Sequence, residues 1–125
     1  MRLLSILAAA VIAAAACCNP NQKELTVVPY PNSVEVKCGV FNAKGAAFNY
    51  EEGIDQRSEA VICSFAQQLS LASGAECKIR KGNCKGGFTF RLDENLPSEA
   101  YKINVSRRVV MVTASGLNGF NYAVQ

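Results

Sequence analysis

The stretch that decides the fold is IDQRSEAVICSFAQQLSLASG, residues 54–74. At about 100° per residue, its apolar side chains fall in one stripe, which is the pattern of a helix that lies on a sheet. The stripe comprises Ile54, Val61, Ile62, Phe65, Leu69 and Ala72. Asp55 is the predicted N-cap and Gly74 the predicted end of the helix. Cys63 projects onto the far side, away from the predicted core.

Segments with alternating apolar side chains lie on both sides of this helix. Before it, residues 26–41 predict a strand and residues 46–53 a weaker one. One face of the first strand would carry Val34, Val36, Cys38 and Val40. Pro29 and Pro31 interrupt the beginning of this segment.

Three more strands are predicted after the helix, over GFTFRL (87–92), YKINVS (101–106) and VVMVTA (109–114). Ser106–Arg108 would connect the last two tightly, and a second helix begins at Leu117. The order of strands, helix, strands and helix predicts an α+β fold, with a mostly antiparallel sheet and helices packed on one face.

Composition limits the possible functions. The 125 residues are 50% apolar with a net charge of +3, which suits one globular domain and is too weak for nucleic-acid binding. Histidine is absent, so the commonest general base and zinc ligand are missing. We expect no cofactor and no nucleic-acid partner.

The first residues have the features of a targeting segment. Arg2, an apolar run and small residues before Cys17 predict a signal peptide over residues 1–16. Cys17 would be acylated, as in a bacterial lipoprotein, and residues 17–24 would form a polar tether to the domain at residues 25–125. Alternatively, this is an ordinary signal peptide. Either reading predicts export, and the first predicts a lipid-anchored protein of the cell envelope.

Six cysteines in an exported chain suggest disulfide bonds. Cys77 and Cys84 bracket KIRKGN, which could fold back and join them, and we favour this bridge. Cys38 and Cys63 could be buried, free or paired elsewhere. Without a CxxC pair or a histidine, we expect no metal site.

Two charged groups could suggest chemistry. Asp93 and Glu94 are adjacent carboxylates, as in glycosidases, but they lie before Pro97 in a segment whose composition is typical of a turn. Four basic residues could meet lipid phosphates or acidic glycans, although a solvated loop or strand edge is the simpler interpretation. They are Lys78, Arg80, Lys81 and Lys85. No catalytic constellation is visible.

Two stretches carry a resemblance to a known family. LTVVPYPNSVEVKCGVFN (25–42) resembles the opening of the N-terminal domain of bacterial β-N-acetylhexosaminidases of glycoside hydrolase family 20. SEAYKINVSRRVVMVTASGLNGFNYAVQ (98–125) is similar to the closing segment of that domain. Accessory domains of family 84 enzymes are also similar.

The resemblance implies a non-catalytic accessory domain that ends at the start of its last helix. Its partner would be a catalytic barrel that is not in this chain, where a carboxylate pair and the substrate's acetamido group hydrolyse terminal N-acetylhexosamine. Asp93 and Glu94 do not match that pair, because they follow Arg91 and Leu92 rather than the family's histidine and glycines. The alternative is a stand-alone envelope lipoprotein that acts as a glycan-binding or interaction module.

Overall fold

The computed structural model describes residues 32–82 and 85–125. Residues 32–38 belong to a first unit and form no helix or strand, whereas residues 39–125 form a second unit that contains all the described elements. In chain order these are β1 (Phe48–Tyr50), α1 (Gln56–Ser73), β2 (Ile79–Lys81), β3 (Gly87–Leu92), β4 (Tyr101–Val105), β5 (Val109–Ala114) and α2 (Leu117–Val124).

Helix α1 has the ends that the sequence predicts. The Asp55 carboxylate accepts a hydrogen bond from the Arg57 N–H at 3.2 Å, which satisfies an otherwise unpaired donor of the first turn. Gly74 has a left-handed backbone with φ of 69°, and its N–H donates to the Ser70 carbonyl at 3.0 Å. A side chain in this conformation would be strained, so glycine ends the helix.

The buried side of α1 is rotated from the predicted stripe. Ile62 is buried and Phe65 and Leu69 pack against the core, as expected, but Ala72 is exposed. Ser58 and Ala66 are buried in addition. The apolar pattern does not identify Ser58, because serine is polar. It can be buried because its hydroxyl donates a hydrogen bond to Asp55.

The sheet is mixed, and the prediction of a mostly antiparallel sheet is wrong. The strand order is β2-β1-β3-β5-β4, and only the β4–β5 pair is antiparallel. Helix α1, at 18 residues, returns the chain to the opposite end of the sheet. A crossover of this kind joins parallel strands, whereas a short turn joins antiparallel ones, as at Ser106–Arg108.

Strands β2 and β3 run parallel on either side of β1, so β3 begins at the end of the sheet opposite to the one where β2 stops. Gly87, with φ of 68°, begins β3 where an added Cβ would collide with the Ala47 carbonyl oxygen. Only glycine fits this close approach.

Both helices pack on one face of the sheet. Aromatic rings connect the layers: Phe48 of β1 meets Phe65 of α1 with centroids 5.4 Å apart, and Phe90 of β3 meets Phe120 of α2 at 6.1 Å. Helix α2 also contacts α1, β4 and β5. The helices on one face and the beginning of α2 at Leu117 agree with the sequence prediction.

The first predicted strand is not formed in its described part, residues 32–41. Val36 is 60% exposed and Val40 is 85% exposed. Alternation favours a strand only where a neighbouring strand supplies hydrogen-bond partners. The remainder of the predicted strand, at residues 26–31, lies outside the described residues.

Neither described helix combines the length and the hydrophobicity that crossing a membrane requires. The predicted signal peptide (1–16), Cys17 and the tether (17–24) lie outside the described residues, so they stay predictions.

Candidate functional site

Two carboxylates near the end of β3 have structural partners. Asp93 accepts a hydrogen bond from the Asn95 N–H at 3.0 Å, which is the local geometry of an Asx turn. Glu51 accepts one from the Leu92 N–H at 3.0 Å. The hydrogen bond from the Asn95 N–H to Asp93 is the one expected if the Asp93–Glu94 segment is a turn rather than a catalytic pair.

Tyr50, Glu59 and Cys63 form a cluster between β1 and α1. A hydrogen bond with the Glu59 carboxylate, together with burial and the charges of Glu59 and Cys63, raises the pKa of Tyr50 to about 12. Burial, and then the charge of Glu59, raises the pKa of the Cys63 thiol. A raised thiol pKa disfavours the nucleophilic thiolate, so the cluster does not have the electrostatics of a nucleophilic site.

The described cysteines differ in their state. Cys77 is a buried free thiol, 7% exposed, and Cys84, its predicted partner, lies outside the described residues. Cys77 packs in the core instead, where its backbone N–H donates to the Ser70 hydroxyl at 2.9 Å. Cys63 is also free, and Cys38 is disulfide-bonded.

The basic segment lies at a sheet edge. Strand β2 pairs with β1 on one side, and all three of its residues are exposed. Lys78 and Lys85 are exposed as well. This placement agrees with the interpretation of the segment as a solvated strand edge. Within the described ranges, no group of three or more cysteine, aspartate or glutamate side chains is arranged to hold a metal ion.

Asn49 is a buried polar residue that sequence reasoning missed. Its side chain is fully buried on the sheet face away from the helices, and its Nδ2 donates to the Gly86 carbonyl at 2.6 Å. Among the described residues, the Asn49 Oδ1 has no hydrogen-bond partner. Asn49 therefore joins β1 to Gly86, the residue before β3. Its position in an alternating strand marks it as outward-facing, and its burial is a tertiary feature.

A groove between the outer sides of α1 and α2 is the best candidate for a contact surface. Its volume is about 320 Å³, and no residue in its lining is charged. The lining consists of Ala60, Val61, Ser64, Phe65, Gln68, Asn121 and Val124. A surface without charges can be covered by another protein domain without leaving a buried ion unpaired.

A second cleft, of about 640 Å³, opens where β1, β2 and β3 end. Glu51, Glu52 and Arg91 lie in its lining together with Gly82. The Glu51 carboxylate already accepts the Leu92 N–H, as described above. The groove between the helices and this cleft were not predicted, because each combines residues from separate elements.

Comparison with known protein families matches residues 24–125 to the family described as glycosyl hydrolase family 20, domain 2. The match covers most of the chain, including every described helix and strand. No curated protein shows a match to the chain.

Proposed function

The chain belongs to glycosyl hydrolase family 20, domain 2, and we propose that it is a non-catalytic accessory domain of an exported β-N-acetylhexosaminidase. In this role it supports a catalytic barrel, and the barrel supplies the carboxylates that hydrolyse terminal N-acetylhexosamine. The observation that carries the proposal is the family match over residues 24–125. The turn geometry of Asp93 supports it, because the Asp93 carboxylate accepts a hydrogen bond from the backbone N–H of Asn95.

The groove between α1 and α2 is the surface that we assign to the barrel. Its uncharged lining suits burial against a second domain. Ser64 and Ala60 are exposed at its edge, so an occupant can reach them without disturbing the core.

The first residues of the sequence support a proposed location in the cell envelope. A signal peptide over residues 1–16 would direct export, and acylation of Cys17 would anchor the protein in the cell envelope. Radiolabelled palmitate should then be incorporated into the parent chain in bacterial cells. A Cys17→Ser variant should incorporate none, and equal labelling of both chains would contradict the anchor.

The first test of the function is hydrolysis of a chromogenic N-acetylglucosaminide. Residues 24–125 alone should give no turnover, since in this proposal the catalytic carboxylates belong to a separate barrel. Hydrolysis that persists through repurification and is lost with an Asp93→Asn variant would overturn the proposal.

The second test measures docking. The chain should bind the separately produced catalytic barrel of a family 20 enzyme from the same genome. Ser64→Arg places a charge in the groove and should weaken binding about tenfold or more, because a buried unpaired charge is costly. Gln67→Arg is the matched control, since Gln67 is also exposed on α1 but lies outside the groove lining. Equal binding by both variants would reject the groove as the contact surface.

A further inference from the structure

The sheet face away from the helices is open over β3, β5 and β4. Strand register places Arg91, Thr113 and Lys102 in one row across these strands, and Thr89, Met111 and Asn104 in the next. We call these six residues the open face. Arg91, Lys102 and Asn104 are exposed, and the other three are half-buried.

The charged residues on these strands and their turn have one sign, and Glu51 and Glu52 lie beside Arg91 in the cleft where β3 ends. Strands β3, β4 and β5 and the β4–β5 turn contain four cations and no acidic residue. The cations are Arg91, Lys102, Arg107 and Arg108, and all four are exposed. Among residues 32–82 and 85–125, the only ion pair joins Lys37 to Glu35. The acidic residues of the β3–β4 loop, as described, therefore form no ion pair with these cations.

The strand register fixes the positions of two of these cations, Arg91 and Lys102. Arg91 and Lys102 are two strands apart, a separation of about 10 Å between their backbones. Both side chains are long enough to lean towards Thr113, which lies between them. An anionic group above Thr113 could accept two hydrogen bonds from the guanidinium group, one from the ammonium group and one from the hydroxyl.

The chemistry of the open face favours a polysaccharide over other polyanions. It has no aromatic ring on which a nucleic-acid base could stack. It also has no exposed large apolar side chain that could insert into a lipid surface. Thr89 and Asn104 offer neutral hydrogen-bonding groups beside the cations, which suits the hydroxyl groups of sugars.

We propose that the open face binds an anionic polysaccharide and holds its carboxylate or sulfate groups between Arg91 and Lys102. The choice of a glycan rests in part on the proposed function, since an accessory domain of a glycosidase encounters polysaccharide. The binding geometry rests on the strand register alone. The open face is distinct from the basic segment around β2, because β1 and the contact between Asn49 and Gly86 lie between them.

The test measures binding of the full chain to heparin and chondroitin sulfate oligosaccharides, with a neutral chitin oligosaccharide for comparison. Both anionic glycans should bind at low salt, and binding should weaken at about 0.15 M ionic strength, where exposed charges are screened. Arg91→Gln with Lys102→Gln should weaken binding about tenfold or more, because two charge-assisted contacts are lost. Lys44→Gln with Lys81→Gln is the matched control, since it removes the same charge at exposed positions away from this face.

A charge reversal supplies an independent measurement. Arg91→Glu with Lys102→Glu should abolish binding to heparin and create binding to chitosan, a cationic glycan. Circular dichroism and unfolding curves should match the parent, because both positions are exposed. Equal losses in the test and control variants would overturn the proposal, as would equal affinity for duplex DNA or anionic phosphatidylglycerol vesicles. Failure to dock onto a barrel would overturn the proposed function and leave these results unchanged.

Discussion

Tyr50 illustrates how one residue couples the sheet to α1. Its ring is 6% exposed in the core, while its hydroxyl meets the Glu59 carboxylate of the helix. Ionisation would remove the hydrogen bond that the Tyr50 hydroxyl donates to Glu59 and would place a second negative charge beside that carboxylate. The hydrogen bond, burial and this repulsion raise the pKa of Tyr50 from 10.0 to about 12.

The raised pKa predicts a dependence of stability on alkaline pH. The folded state holds the Tyr50 proton more tightly than the unfolded state does, so this contribution to stability is fully present below pH 10. It should be lost as the pH rises from 10 towards 12. Tyr50→Phe should flatten this part of the curve, measured as urea unfolding by circular dichroism. Tyr122→Phe, at an exposed position, should keep the parent slope. A Tyr50→Phe variant with that same slope would show that the hydroxyl is not coupled to folding.

At the scale of elements, α2 is fitted to the sheet by one glycine. Gly119 lies in the helix interior, where glycine is ordinarily less favourable than alanine. A Cβ at this position would lie 2.5 Å from the Ala100 carbonyl oxygen and 2.8 Å from the Ala114 Cβ. Close packing of α2 against the sheet therefore requires glycine here.

Two effects of opposite sign compete in Gly119→Ala. Helix propensity alone would stabilise α2 by up to about 1 kcal/mol. The collision is with backbone, which cannot yield without moving α2 from the sheet, so we expect a net loss of about 1–3 kcal/mol in the free energy of unfolding. Gly53→Ala is the control, because its Cβ would meet only the Leu92 Cδ2 at 3.8 Å. Urea unfolding at neutral pH distinguishes the two, and a stabilised Gly119→Ala would mean that α2 packs less tightly than described.

The second unit as a whole has one buried core. Residues of both helices and of β1, β3 and β5 share it, and Cys77 reaches it from the connection between α1 and β2. A residue in a common core becomes accessible only when the whole domain opens, unless its own segment opens locally.

Thiol labelling should report this cooperativity. Cys63 is half-buried and should react with a maleimide in native buffer, slowed by its raised pKa. Cys77 is 7% exposed and should react only as urea unfolds the domain. Mass spectrometry of the two peptides separates the rates within one sample. If Cys77 reacts as fast as Cys63 in native buffer, then the α1–β2 connection opens independently of the core.

The sequence by itself determined the local elements. Asp55 and Gly74 marked the ends of α1, the strand patterns after it predicted β3, β4 and β5 but not the short β2, and Leu117 began α2. The same reasoning identified the turn at Asp93. These features depend on capping, backbone conformation and side-chain periodicity, which act between residues close in the chain.

Only the tertiary structure decided the direction and neighbours of the strands. The crossover through α1 makes the sheet mixed, Gly86 meets the buried Asn49 side chain, and register alone brings Arg91 and Lys102 to the two sides of Thr113. The segment around Val36 is a second example. Its alternating pattern predicted a strand, but in the structure this segment is exposed. Strand pairing joins backbone groups that are far apart in the chain. The side chains of a single strand therefore do not indicate which strand lies beside it.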